Sequence, residues 1–219
     1  MKVNRNIIQS LRDPLSGLTH FLGIIIALFS LIALLTRTVP PITRWHIISF
    51  TIYGCAMILL YTMSTLYHWL PLTGKRLELF RKIDHIMIFV FIAASYTPVC
   101  LITLSGKWGW SILGIVWVLT IAGFFLKVFW LHAPRFLYTA LYVLLGWIIV
   151  FAIWPLSQRM SPGGLIWLAI GGFFYTVGAV IYGIKKPDPW PKVFGFHEIF
   201  HIFIILGSIS HFWMMYRYV

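Results

Sequence analysis

Seven apolar runs, each close to the ~20 residues that a helix needs to cross a bilayer, dominate the sequence. Of the 219 residues, 60% are hydrophobic and only 10% are charged, against about a quarter charged in soluble domains. The runs therefore predict an all-α membrane protein with seven transmembrane helices in a single domain over residues 1–219. The predicted spans are 17–36, 45–69, 83–104, 109–131, 136–155, 164–184 and 196–216.

Lysines and arginines are distributed unequally between the two sides of this predicted bundle. Of the 17, twelve lie at the N-terminus or in the second, fourth and sixth gaps, among them Lys2, Arg5 and Lys192. Because cytoplasmic segments carry an excess of Lys and Arg, the bias predicts a cytoplasmic N-terminus and a C-terminus outside. The predicted location is a membrane that the chain crosses several times.

The net charge of +12 does not indicate a nucleic-acid partner, because the basic residues occupy short gaps and form no basic helix or aromatic-interleaved patch. Membrane lipids are the expected partners. Cys55 and Cys100 lie singly inside apolar runs, so neither a disulfide nor a thiolate metal site is predicted. The sequence leaves the oligomeric state open.

Histidines form the most specific pattern within the spans. His197 and His201 are four residues apart, which places both imidazoles on one helix face, one turn from each other. His68 is predicted at the same depth, because the second span runs inward and ends there. Three neutral nitrogens with a fourth position open to water are expected of a catalytic zinc. The sequence therefore predicts Zn²⁺ bound by these three histidines.

Other polar residues are predicted near the same interface. Ser64 lies one turn before His68, and Asp84 opens the third span. Asp84 could hydrogen-bond the metal-bound water or orient a histidine. We interpret Asp84 and Ser64 as candidate catalytic residues, because a carboxylate can accept a proton and a hydroxyl can donate a hydrogen bond. His20 and His85 are candidates for contacts that support the metal ligands.

The last span also contains a literal HExxH motif. In soluble zinc proteases this motif supplies two ligands, here His197 and His201, and a general base, here Glu198. An intramembrane metalloprotease also carries such a motif in a span, but no downstream Asp-Gly third-ligand motif follows here. Glu198 therefore has two interpretations: a base or supporting residue of the site, or an interfacial residue facing headgroups or Lys192.

Polar motifs recur at the boundaries and inside the spans. They are Asp13-Pro14 leading to His20, Ser64-Thr65-Leu66-Tyr67-His68, Asp84-His85, Ser95-Tyr96-Thr97-Pro98, His197-Glu198-Ile199-Phe200-His201, and Gly207 to His211. With this set the chain resembles, essentially end to end, the hemolysin III branch of the progestin and adipoQ receptor (PAQR) family. Adiponectin receptors and alkaline ceramidases are more distantly similar.

The resemblance implies a seven-helix fold with an inside N-terminus and a zinc ion bound by His68, His197 and His201. It also implies that Asp84 contacts the water on the zinc and that Ser64 lines the site. The long cytoplasmic N-terminal region of the adiponectin receptors has no counterpart here, so the resemblance does not imply a hormone-receptor role.

These features are compatible with three functions. The leading hypothesis is a zinc-dependent hydrolase of lipid amide bonds, ceramidase-like, with a role in membrane lipid homeostasis. The alternative is a non-enzymatic sensor or regulator of the membrane state with a structural zinc, so the choice between enzyme and regulator stays open. A proton or ion transporter using Asp84 and the histidines ranks last, because only Ser95, Thr97, Thr103 and His211 extend a polar path toward the outer face.

Overall fold

The structure is a computed structural model that describes residues 11–37, 42–191 and 193–219. Seven helical segments within these ranges are long and apolar enough to cross a membrane, which confirms the predicted all-α fold. The helices are α1 (Pro14–Leu35), α2 (Arg44–Trp69), α3 (Gly74–Pro98), α4 (Gly106–Phe129), α5 (Arg135–Trp147), α6 (Ile153–Ser157), α7 (Pro162–Ile184) and α8 (Phe196–Tyr218).

The fifth span is not one regular helix. A 3₁₀ segment, Ile148–Ala152, joins α5 to α6. The hydroxyl of Tyr96 donates to the carbonyl of Gly146 (2.6 Å) and accepts from the backbone N–H of Ile149 (3.0 Å). Since backbone groups inside a bilayer must be satisfied by the protein, this buried hydroxyl stabilises the change of helix type.

The third span is longer than its apolar run. Helix α3 begins at Gly74, well before the predicted start at residue 83, and its first turns carry the exposed side chains of Lys75 and Arg81. The apolar run marks the part of the helix inside hydrocarbon, whereas helical hydrogen bonding continues into the interface, where long basic side chains reach water. Beyond Pro98, α3 continues as a π-helix over Val99–Leu104.

The helices pack mainly with their sequence neighbours, and α1 also packs against α8, which brings the two ends of the chain together. Helices α1, α3, α5 and α8 begin at one end of the bundle, where α2, α4 and α7 finish; we call it the N-terminal end. That this end faces the cytoplasm stays a prediction. Three of the basic residues that contribute to this prediction lie outside the described residues: Lys2, Arg5 and Lys192.

The surface of the bundle is apolar and its interior contains small residues at helix contacts. Phe29 and Phe151 are 65% and 80% exposed. Inside, Gly23 packs against the ring of Tyr61, and Gly207 against the ring of Tyr175. Small residues let helices approach closely where lipid provides no hydrophobic driving force for association. The chain is therefore a multi-pass integral membrane protein.

Candidate metal centre

Three histidines from two helices meet at the N-terminal end of the bundle. His68 lies near the end of α2, and His197 and His201 lie in the first two turns of α8. Each ring has one nitrogen within 4.8 Å of a nitrogen of the other two, and the Nε2 atoms of His68 and His197 are 3.2 Å apart. The structure thus brings together the three residues that the sequence predicts as metal ligands.

The start of α8 fixes two of these rings. The backbone N–H of Gly195, at the helix N-cap, donates to Oε2 of Glu198 (2.8 Å), which closes the first turn. His197 and His201 lie one turn apart on the face that His68 approaches, and their ring centroids are 4.5 Å apart.

A carboxylate just before α1 orients His68. Oδ2 of Asp13 lies 3.2 Å from Nδ1 of His68 and also accepts from Nε of Arg12 (2.9 Å). The hydrogen bond with His68 is the main cause that lowers the pKa of Asp13 to about 2, so the carboxylate is ionised at neutral pH. An Nδ1–H donated to Asp13 leaves Nε2 of His68 to face His197.

His201 is oriented by the first turns of α1. Its Nδ1 lies 3.2 Å from the carbonyl oxygen of Ser16 and 3.0 Å from the hydroxyl of Thr19. Thr19 itself donates to the Ser16 carbonyl (2.7 Å), so the carbonyl accepts from both groups when Nδ1 carries the proton. Nε2 of His201 then carries a lone pair that can bind a metal ion.

Asp13, Ser16 and Thr19 were not predicted as site residues. The one signal that identifies them is their spacing of three residues, which places all three beside His20 on one face at the start of a helix. Asp13 belonged to a recognised motif, but the sequence alone does not say which histidine it meets.

The chemistry of this donor set fits a metal ion. The close approach of two Nε2 atoms requires a shared proton or a shared cation. A proton bridges only two nitrogens, whereas the third ring nitrogen lies in the same small group. Imidazole nitrogens suit divalent first-row transition metals, and second contacts such as those of Asp13 and Ser16 are usual for metal-ligating histidines.

The two candidate catalytic residues are buried next to the histidines without joining them. Ser64 is 2% exposed and Asp84 is 9% exposed. The Asp84 carboxyl has Ser64, His68 and Lys127 among its neighbours. Asp84 lies outside the group of ring nitrogens, so the geometry does not make it a direct ligand of the same ion.

The three predicted supporting residues lie in different environments. His20 stacks on His201 with ring centroids 3.6 Å apart, and neither of its ring nitrogens has a hydrogen-bond partner among the described residues. His85 has a buried, unpartnered Nδ1 but stays outside the metal group. Glu198 accepts from Gly195 and from the hydroxyl of Ser16, so its carboxylate caps α8 and binds α1.

A cleft of about 430 Å³ opens beside the histidines. Its wall is formed by the segment before α1, the start of α1 and the region that leads into α8. His197 lines it and is partly exposed, whereas His68 and His201 are only 4% and 2% exposed. The three histidines are therefore reached from the side of His197. The polar residues of the cleft are Arg12, Asp13, Ser16, Asp188, His197 and Glu198.

Comparison with known sequences supports the same assignment of family. The sequence profile of a family described as Haemolysin-III related matches residues 8–212. The chain belongs to this family. It is 36% identical to Hemolysin-3 of Bacillus cereus over 204 residues, which cover 93% of this chain and 90% of the relative. The Hemolysin-3 homolog of Bacillus subtilis is 35% identical over 93% of this chain and 92% of its own length.

More distant relatives place the haemolysin III family chain within the wider PAQR group, as predicted. The monocyte to macrophage differentiation factor of Homo sapiens is 25% identical over 180 residues, covering 80% of this chain and 72% of the relative. The adiponectin receptor protein of Drosophila melanogaster is 35% identical over 60 residues, which cover 25% of this chain and 14% of the relative. The predicted resemblance to the hemolysin III branch is confirmed.

Proposed function

We propose that this haemolysin III family protein is a zinc-dependent hydrolase that cleaves an amide bond of a membrane lipid. The observation that carries the proposal is the histidine triad beside the cleft. Two of its rings are buried and oriented by α1 or the residue before it, while the third, His197, is partly exposed to the cleft. A ligand set that is rigid on one side and open on the other suits catalysis.

Zinc is the metal we assign to the site. Three neutral imidazoles with an open fourth position are typical of catalytic zinc, and neither Cys55 nor Cys100 belongs to the ligand group among the described residues. Asp13 and the Ser16 carbonyl hold Nδ1 of His68 and His201, which would leave their Nε2 atoms free to bind the ion.

The neighbouring side chains supply the remaining chemistry. A zinc ion in this site would act as a Lewis acid on the scissile carbonyl and make the attacking water more acidic. Asp84 would accept the proton of that water and pass it to the leaving amine. Ser64 would donate a hydrogen bond to the developing oxyanion. Both side chains are buried, which keeps bulk water away from them.

The position of the cleft suggests the substrate class. It lies at the N-terminal end of the bundle, next to helix faces whose large apolar side chains are exposed, such as Leu18 (44%) and Leu22 (50%) on α1. A ceramide-like lipid or another acyl amide would place its headgroup in the cleft and its acyl chain along the helices. In this proposal membrane lipids are the partners, the membrane is the bacterial inner membrane, and the cleft faces the cytoplasm.

The test uses purified full-length protein in lipid nanodiscs. Zinc is quantified by mass spectrometry, and fatty acid release is measured from a panel of ceramides and N-acyl amines. Asp84→Asn should retain zinc and lose about 100-fold or more of the release rate, since it removes the general base. Glu78→Gln, which changes an exposed carboxylate of the same helix, should match the unaltered protein.

One result would overturn the proposal. If protein with stoichiometric zinc released no fatty acid from any lipid of the panel, and variants of the triad behaved normally in cells, hydrolysis would be wrong.

A second candidate function is a non-enzymatic regulator of the membrane state with a structural zinc. The observation that favours it is the linkage of three helices, because the ligands lie on α2 and α8 and their supporting contacts come from α1 and Asp13. This function predicts that Asp84→Asn keeps both its zinc and its effect in cells. Hydrolysis predicts that the same variant keeps zinc and loses the effect.

A further inference from the structure

Two buried side chains of opposite charge lie on neighbouring helices. Among the described residues, Asp84 of α3 is the buried carboxylate and Lys127 of α4 is the buried lysine, at 9% and 1% exposure. An uncompensated charge within a membrane helix is costly and normally pairs with another group inside the bundle. Each of these two residues therefore needs a partner.

The packing of α3 against α4 brings the two residues to the same level. The hydroxyl of Thr120 donates to the carbonyl of Phe89 (3.3 Å), and Gly123 packs against the ring of Phe89. The two helices are sequential spans and run in opposite directions. Lys127 follows Gly123 by four residues on α4, and Asp84 precedes Phe89 by five residues on α3. Both therefore lie about one turn from the Gly123–Phe89 contact, toward the N-terminal end of the bundle.

Lys127 is held in place by an aromatic ring. Its Nζ lies 3.2 Å from the centroid of the Tyr138 ring, and the Tyr138 hydroxyl donates to the carbonyl of Trp130. Arg81 is also close to Lys127 but carries the same charge and is exposed. Asp84 is the neighbouring group that attracts the ammonium.

The two charges do not touch. No ion pair within 4.0 Å joins Lys127 to Asp84 among the described residues. Because the two groups are not in contact, the carboxylate oxygens of Asp84 can contact another group, which a closed salt bridge would prevent. The nearby ammonium still lowers the energy of the negative charge.

We propose that Lys127 is the counter-charge of Asp84 and so a positioning residue of the metal site, which holds Asp84 as the carboxylate that faces the histidines. The charge pairing is a property of the fold. Its role in turnover rests on the proposed function, because only there does Asp84 accept a proton.

A double-mutant cycle tests the pairing without reference to activity. Lys127→Met, Asp84→Asn and the double variant are purified as full chains in detergent, and their Tm and zinc content are measured. Each single variant leaves one buried charge without its partner, so the double variant should be more stable than the sum of the two losses predicts, by at least about 3 °C in Tm. Lys107→Met, an exposed lysine at the other end of α4, should leave Tm unchanged.

The amount of each variant in the membrane is a second measurement for the same double-mutant cycle. If Lys127→Met alone does not accumulate in the membrane, the pairing predicts that adding Asp84→Asn restores accumulation. Additive losses of Tm, or failure of the double variant while Asp84→Asn folds normally, would overturn the pairing.

Kinetics test the positioning role. In zinc-loaded protein, Lys127→Met should lower kcat roughly tenfold with KM and zinc content unchanged, and Lys127→Arg should recover most of kcat. A residue that only stabilised the fold would change the amount of folded protein but not the kcat of the zinc-loaded fraction. An unchanged kcat in Lys127→Met would overturn the role. If the unaltered protein cleaves no lipid, the proposed function fails, while the cycle still decides the pairing.

Discussion

Helix α8 carries two polar regions that lie in the interior of the same bundle. They differ in whether their polar atoms have hydrogen-bond partners within the protein. Two turns beyond His201, Ser208 is the centre of a network in which each hydroxyl has a protein partner. Its Oγ donates to the Ile204 carbonyl (2.9 Å) and lies 2.7 Å and 3.2 Å from the hydroxyls of Tyr61 and Tyr175. Tyr53 donates to the Ser208 carbonyl (3.1 Å).

At the candidate metal centre, by contrast, some ring nitrogens have no partner or only another ring nitrogen. Both ring nitrogens of His20 are buried and unpartnered among the described residues, and the Nε2 atoms of His68 and His197 face each other. Since most buried polar groups are hydrogen-bonded, polar atoms with no partner, or with only another ring nitrogen as partner, indicate a ligand site. Satisfied ones, as around Ser208, indicate helix association. In this membrane protein a buried polar residue alone is therefore a weak sign of function.

The same distinction bears on an ion path. His211 lies against the ring of Tyr175, with Nε2 3.4 Å from the Leu168 carbonyl, and so adjoins the Ser208 network. Ser95 and Thr97 donate to carbonyls of their own helix. These groups are used in packing, which makes a transporter the least supported of the three functions.

Removing a ligand should have the largest effect on this contrast. His201→Ala and His68→Ala should each lose nearly all bound zinc, because two histidines no longer form a three-nitrogen site. His211→Ala is the matched control from the same helix and should keep its zinc. Zinc content of purified protein measures all three. Equal metal content in His201→Ala and His211→Ala would contradict the distinction between the candidate metal centre and the Ser208 network.

Weakening the support of a ligand should have the next largest effect. Asp13→Asn should lower zinc affinity about 10- to 100-fold, because the carboxylate orients His68 through Nδ1. Competition with a zinc-binding dye measures the affinity. Asp188→Asn changes another acidic side chain of the cleft and should have no effect. An unchanged affinity in Asp13→Asn would mean that His68 does not need its carboxylate partner.

The Ser208 network should affect stability but not metal binding. Ser208→Ala removes the partner of two tyrosine hydroxyls and should cost about 1 kcal/mol, the scale of hydrogen bonds between membrane helices. Ser210→Ala is the control, because Oγ of Ser210 bonds only to the Leu206 carbonyl of its own helix among the described residues. Unfolding and zinc content are measured together. Loss of zinc in Ser208→Ala would show that the network holds the ligands.

The smallest effect is expected at the acidic residue of the HExxH motif. Glu198→Gln should leave zinc content and fatty acid release within about twofold, since the amide oxygen can still accept from Gly195 and the amide N–H can donate to the hydroxyl oxygen of Ser16. A general base would instead lose about 100-fold or more on this change. A loss of that size would revive the protease interpretation of the motif.

The sequence by itself determined the seven helices, because a run of about 20 apolar residues has few other stable conformations in a bilayer. It also determined that His197 and His201 share a helix face, since that follows from helical periodicity. The common depth of His68, Ser64 and Asp84 was predicted from the direction of the spans.

Only the tertiary structure decided which side chains meet across helices. Asp13 against His68, Glu198 capping its own helix and contacting Ser16, and Lys127 over Tyr138 all depend on how each helix is rotated and how deep it lies. Neither quantity is fixed by local sequence, because rotation and depth are set by packing against neighbouring helices. The apolar pattern determines which segments form helices, and the contacts between helices determine the role of each polar residue.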